Sequence, residues 1–183
     1  MHPVFYDHQA YIQALVNSAQ SWLDQPYDHL IFSYHGVPER HITKDNPTGS
    51  HCLKSDQCCN TDSVAHKTCY RHQVMRTTEC FVQEAQIPES RYTVAFQSRL
   101  GRAKWLEPNT VDVLNGLAEQ GKKRVLVICP SFVADCLETL EEIGIVARET
   151  FIEAGGESLE LIPCLNQHPD WIDTVCQWVE QPL

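Results

Sequence analysis

The sequence predicts an α/β domain in three layers: one four-stranded parallel sheet with helices covering both faces. Two observations carry this. Four short apolar runs, at 29–34, 92–97, 124–129 and 159–164, are rich in β-branched or aromatic residues and bounded by loop signals. Helical patterns alternate with them, at 7–23, 64–84, 110–120, 135–148 and 169–179. Short, nearly continuous apolar strands separated by helices imply parallel pairing, both faces buried, and right-handed crossovers.

Each element has its own signal. The first strand, Leu30-Ile31-Phe32, runs straight into Ser33-Tyr34-His35-Gly36-Val37-Pro38, so a histidine stands at the end of the sheet where open α/β folds present ligand-binding groups. Gly36 lets the chain turn away without a side chain blocking a ligand, and Pro38 stiffens the exit. The third strand ends at Pro130 and opens a helix carrying Asp135, Glu138 and Glu142. The last helix begins with Pro169 in its first turn, a favoured position for proline. The exception is 43–68, whose Asn, Pro, Gly, Ser, Asp and Cys content follows neither period. A loop that long is usually functional or disordered.

At 183 residues the chain suits one domain, 1–183, with a substantial core. Acidic residues outnumber basic ones 24 to 14, a net charge of -10, and no basic stripe offsets this, so nucleic acid is excluded as a partner. The apolar runs fall far short of the roughly 20 residues that cross a bilayer, and no signal-peptide pattern opens the chain. The expectation is a cytoplasmic protein, with peripheral membrane contact left open.

His35 is a candidate proton acceptor or metal ligand, against the plainer reading of a loop histidine bonded to backbone. Asp135, Glu138 and Glu142, spaced by three and four, would line one helix face roughly 5 to 6 Å apart at Cβ. Their repulsion would raise at least one pKa and attract a divalent cation. The alternative is acid that offsets the helix dipole or faces water. After the second strand, Arg99, Arg102 and Lys104 could meet acidic groups on a flat ligand while Trp105 offers a stacking face; the alternative is a solvated loop with Trp105 in the core.

Nine cysteines is a high count, and an odd one, in a chain without the marks of a small secreted disulfide scaffold. Cys52, Cys58, Cys59 and Cys69 follow C-x5-C-C-x9-C, enough thiolates for a zinc ion or a 2Fe-2S cluster. Adjacent cysteines strain one tetrahedral site, whereas a cluster could take one sulfur from each onto a different iron, so the cluster is favoured over zinc. His51, His66 and His72 leave mixed ligation open. Cys129 and Cys164 read as small buried hydrophobes and Cys176 as a helix-face residue.

Three blocks together resemble the ferrochelatase family: Phe32-Ser33-Tyr34-His35-Gly36-Val37-Pro38; Phe96-Gln97-Ser98-Arg99 with Gly101 and Trp105; and Asp135-Cys136-Leu137-Glu138-Thr139-Leu140-Glu141-Glu142. Ala154-Gly155-Gly156 and Pro163-Cys164-Leu165-Asn166 extend the resemblance. It covers the family's carboxyl half only. The resemblance implies a chelatase-like, Rossmann-like fold and the insertion of ferrous iron into protoporphyrin IX to form protohaem. It implies His35 and Glu138 as catalytic residues, with Asp135 and Glu142 continuing an acidic path for metal or protons on a helix distorted toward π geometry. Tyr34, Gln97, Ser98 and Trp105 match positions near the porphyrin. Cys136 stands where many members have a histidine. The 43–69 segment is similar to cysteine-rich insertions that carry a 2Fe-2S cluster. A missing amino-terminal half would supply the other wall of the cleft. Competing expectations are a non-catalytic porphyrin-binding or metal- and redox-sensing module, and cobalt chelation into another tetrapyrrole.

Overall fold

The computed structural model describes residues 4–180. Helix α1 (Gln9–Leu23) leads into strand β1 (His29–His35), a short helix α2 (Glu39–Lys44), the cysteine-bearing turns, and helix α3 (Tyr70–Glu84). Strand β2 (Tyr92–Gln97), helix α4 (Thr110–Glu119) and strand β3 (Arg124–Ile128) follow. Helix α5 (Leu137–Leu140), a π-helical segment (Glu142–Ala147) and helix α6 (Arg148–Glu153) run into strand β4 (Ser158–Leu161) and helix α7 (Pro169–Glu180).

All strand pairings are parallel, in the order β2-β1-β3-β4. Alternation along the strands builds two cores. Leu30, Phe32 and Tyr34 of β1 and Leu126 and Ile128 of β3 pack beneath α1, α3 and α7. Ile31, Val125 and Val127 point the other way, with Leu114, Leu117, Ala147 and Phe151. In α1 the buried residues Tyr11, Ile12, Leu15, Val16 and Ala19 form the single stripe that a 3.6-residue period produces. The Asn109 side chain caps α4 by accepting the Val111 N–H at 3.0 Å. The expected three-layer α/β architecture is therefore the observed one. From β1 the chain goes outward to β2, then returns to β3 on the opposite side, which opens a crevice at the carboxyl ends of β1 and β3. No helix among the described residues is long and apolar enough to cross a membrane.

Several boundaries differ from expectation. The helix expected over 64–84 is a 3-10 turn (Val64–Lys67) and then α3, because Cys69 is extended and directs its side chain into the loop core. Helix α2 lies partly in the expected loop; with Ile42 as its one buried residue it has no periodic signature. The last strand is Ser158–Leu161 rather than 159–164. The single helix expected over 135–148 begins only at Leu137, since Cys136 is extended at its N-cap, and continues to Glu153. In between, the Glu141 carbonyl accepts both the Ile145 and Val146 N–H groups, at 3.2 and 3.0 Å. One inserted residue of this kind defines a π bulge, a feature frequent at functional sites.

Candidate active site

His35 ends β1 in register with Gln97, which ends β2. The His35 Nδ1 lies 2.6 Å from the Gly36 carbonyl oxygen, which can only accept, so Nδ1 carries the proton and the Nε2 lone pair is left open. The backbone at His35 is fixed by the Tyr70 hydroxyl, which donates to its carbonyl at 2.8 Å, and the Phe132 ring stands 6.2 Å from the imidazole. Gly36 also has a packing role. A Cβ there would fall 2.6 Å from the Gln97 carbonyl oxygen and 3.3 Å from Trp105, so glycine allows the two strand ends and the indole to close together.

The acidic residues come from the α5 and π segments across the same sheet edge. Ser98, just past β2, has φ +63°, a left-handed conformation uncommon for serine. This turns its N–H and its hydroxyl together onto the Glu142 carboxylate, at 2.7 and 2.5 Å. The Gln97 amide nitrogen donates to the Glu138 carbonyl at 2.5 Å and approaches Glu142 Oε2 at 3.3 Å. The Glu138 carboxylate lies within electrostatic reach of His35 and is held below the usual carboxylate range, chiefly by the Cys136 thiol and by its own N–H.

The expectation that Asp135, Glu138 and Glu142 stack on one helix face is corrected. Asp135 precedes the helix and turns away to a different set of partners: the Asn166 amide at 2.6 Å, the Cys164 N–H at 3.3 Å and the Thr139 hydroxyl at 3.1 Å. Burial opposes its ionisation, but those donors outweigh burial and leave it below the ordinary value. Asp135 and Glu138 are thus each held below the ordinary value by hydrogen-bond donors.

Ser98, Arg99, Leu137, Glu138, Glu141 and Glu142 line an open cavity of about 350 Å³. A second, largely apolar cavity of about 380 Å³ lies between α1, α3 and the strand ends, with Tyr34, Tyr70 and Pro130 in its wall. Tyr34 is fully buried and its hydroxyl meets Thr78 at 2.8 Å. Trp105 is half-buried against Gly36, and the basic residues around it are partly engaged: Arg99 with Glu107 at 3.6 Å and Lys104 with Glu39 at 3.1 Å. Sequence reasoning missed Tyr70, Ser33, Thr110 and Asn166, which act through hydrogen bonds between distant segments and carry no local signature.

The four loop cysteines are all buried. Their thiols fall into two pairs within hydrogen-bonding reach, Cys52 with Cys69 and Cys58 with Cys59. Burial pushes the Cys52 and Cys59 thiols up to about 12. Arg71 Nη1 donates to the Cys58 and Cys59 sulfurs at 3.4 and 3.5 Å. His51, His66 and His72 do not point ring nitrogens among the thiols. They donate to the Cys58 and Cys59 carbonyls at 2.7, 3.0 and 2.9 Å, with His66 and His72 stacked at 3.6 Å. Among the described residues no three His, Cys, Asp or Glu side chains meet tightly enough to grip a single ion. Four buried thiols are enough donors for a two-iron cluster. Elsewhere, Cys129 and Cys164 are buried and Cys176 is exposed on α7, as anticipated.

A parallel α/β sheet with an imidazole and carboxylates at one strand-end crevice defines a class of α/β domain that presents its polar groups at a ligand crevice. The fold matches SirB from Bacillus subtilis, solved with Fe3+, with a TM-score of 0.56 at 12% identity, over 95% of this chain and 54% of that one. The ferrochelatase family model matches residues 2–183. Named ferrochelatases include those of Ectopseudomonas mendocina, 55% identical over 99% of this chain and 54% of the relative, and Stutzerimonas stutzeri, 55% identical over 94% and 51%. That of Pseudomonas putida is 51% identical over 97% and 53%. The chain belongs to the ferrochelatase family, and it spans about half the length of the curated relatives it matches.

Proposed function

We propose that this chain is the carboxyl half of a ferrochelatase, which with an amino-terminal half inserts ferrous iron into protoporphyrin IX. Metallation of the neutral porphyrin releases two pyrrole protons as Fe2+ enters, so the site must accept protons on one side and attract a dication on the other. His35 Nε2, with its lone pair open, is the proton acceptor or the first metal ligand. Glu138 is the carboxylate that receives the iron, and Glu142, lining the same cavity, extends the negative potential there, while Asp135 adds to it from further off. Ser98 and Trp105 contribute to the porphyrin wall at the rim, and Tyr34, buried with its hydroxyl on Thr78, supports that wall from beneath without touching the porphyrin. The observation that carries this reading is the register of His35 with Gln97, whose amide holds the Glu138 segment. That register and that hydrogen bond support it by bringing His35 and the Glu138 backbone to one edge of the sheet.

The 43–69 segment is read as an insertion in which Cys52, Cys58, Cys59 and Cys69 would hold a 2Fe-2S cluster. Such a cluster would supply cross-linking and redox sensitivity and take no part in chelation. Four buried thiols, two of them adjacent in sequence, favour it over a single zinc ion. The test of the main reading is anaerobic haem formation from ferrous iron and protoporphyrin by the chain together with its amino-terminal half. His35→Ala and Glu138→Ala should each abolish it. Haem formed equally well by either variant would overturn the reading, and a product formed only with cobalt would redirect it to another tetrapyrrole.

A further inference from the structure

Gln97 is 1% exposed, and all four of its hydrogen-bonding capacities are taken. Its orientation is forced by its partners. The Glu138 carbonyl and the Glu142 carboxylate only accept, so the NH₂ group faces them. The Oε1 atom then faces two donors, the Ser33 hydroxyl at 2.7 Å and the Cys129 thiol at 3.6 Å. Because Ser33 donates to Gln97, the neighbouring Thr110 hydroxyl donates to Ser33 at 2.8 Å. A single polar chain thus runs Thr110, Ser33, Gln97, then Glu138 and Glu142. It links the first turn of α4 through the interior of the sheet to the acidic segment.

The acidic segment needs such a tie. Ile143 and Ala147 anchor the π turn in the second core, but the four-residue α5 that carries Glu138 exposes Leu137 and Leu140 and buries only Thr139, so no apolar side chain fixes that end of the segment. The buried amide and the Ser98 turn supply that restraint. A side chain with no exposed surface and no spare donor or acceptor has nothing to offer a porphyrin.

We infer that Gln97 is a positioning residue: its amide sets where the Glu138 backbone and the Glu142 carboxylate stand relative to His35, and so governs metal entry rather than porphyrin binding. This rests on the ferrochelatase reading and deepens it. In the chain assembled with its amino-terminal half, Gln97→Met should raise the KM for ferrous iron and lower kcat, together by roughly 10- to 100-fold in kcat/KM, with the KM for protoporphyrin unchanged. Hydrogen exchange of amides 138–146 in the chain alone should quicken. The control is Leu15→Ala on α1, a buried residue of the core on the other face of the sheet and no member of this polar chain. It should lower the thermal midpoint without changing the iron KM or that exchange. Where Gln97→Met does not fold, Gln97→Glu, of the same size, places an acceptor against Glu138 and Glu142 and should give the same pattern. Losses that merely follow stability across all variants, or a rise in the porphyrin KM, would overturn the inference. If the wild-type assembly forms no haem the function fails instead, and the exchange comparison still decides the positioning role.

Discussion

Ser98 binds Glu142 twice, through its N–H at 2.7 Å and its hydroxyl at 2.5 Å, and both bonds depend on the left-handed backbone at Ser98. That backbone costs about 1 kcal/mol for an L-residue, a strain retained only where the surrounding contacts hold it. Ser98→Gly removes the hydroxyl bond and the strain together. Its unfolding free energy in urea should stay within about 1 kcal/mol of wild type, while the iron KM of the assembled enzyme rises several-fold. A wild-type iron KM would show that the Glu142 clamp is idle.

Gly36 is a packing glycine. An added Cβ would sit 2.6 Å from a backbone oxygen of the neighbouring strand, which cannot swing aside as a side chain can. Gly36→Ala should therefore destabilise the domain by about 1–3 kcal/mol, read from denaturant unfolding. An unchanged midpoint would show that the strand ends are looser than they stand here.

The cysteine loop makes a spectroscopic prediction. After anaerobic reconstitution the chain should contain about two irons and absorb in the visible, and Cys58→Ser or Cys69→Ser should lose both. Arg71→Met should leave the loop able to take iron but shorten the lifetime of the absorption in air, since the guanidinium donates to two of the sulfurs. A reconstituted wild-type chain that holds zinc and stays colourless would contradict the cluster.

His29 predicts a pH dependence of stability. Burial lowers its pKa, with Lys122 and Arg91 adding to the effect, and its Nε2 meets the Thr93 hydroxyl at 2.8 Å. A histidine whose folded pKa lies below the ordinary 6.5 binds protons more readily when unfolded. Its contribution is full above pH 6.5, declines as pH falls through that value, and levels off once the folded form also protonates. Thermal midpoints from pH 7.5 to 5 should fall more steeply for wild type than for His29→Gln; parallel curves would rule this out.

Much of this was legible in the chain. Strand runs such as Leu30-Ile31-Phe32 and Val125-Leu126-Val127 are apolar on both faces, which distinguishes a covered parallel sheet, and His35 follows directly from where such a strand ends. The acidic stripe was harder. A spacing of three and four assumes an unbroken α-helix, but the extended Cys136 and the shared Glu141 carbonyl break it, so Asp135 and Glu142 find different partners. The hub at Gln97 was hidden because its partners Ser33, Cys129 and Glu138 are brought together by sheet order, which no local pattern encodes. Likewise nothing in C-x5-C-C-x9-C announces that Cys58 and Cys59 pair with each other.

The account turns on His35 and Glu138 sharing one substrate. The most direct measurement is the initial rate of anaerobic haem formation by the assembled enzyme, compared among wild type, His35→Ala and Glu138→Ala, each checked for folding by its thermal midpoint. The expected result is steady haem formation by wild type and at least about a 100-fold loss in each folded variant. Folded variants that make haem at the wild-type rate would contradict it.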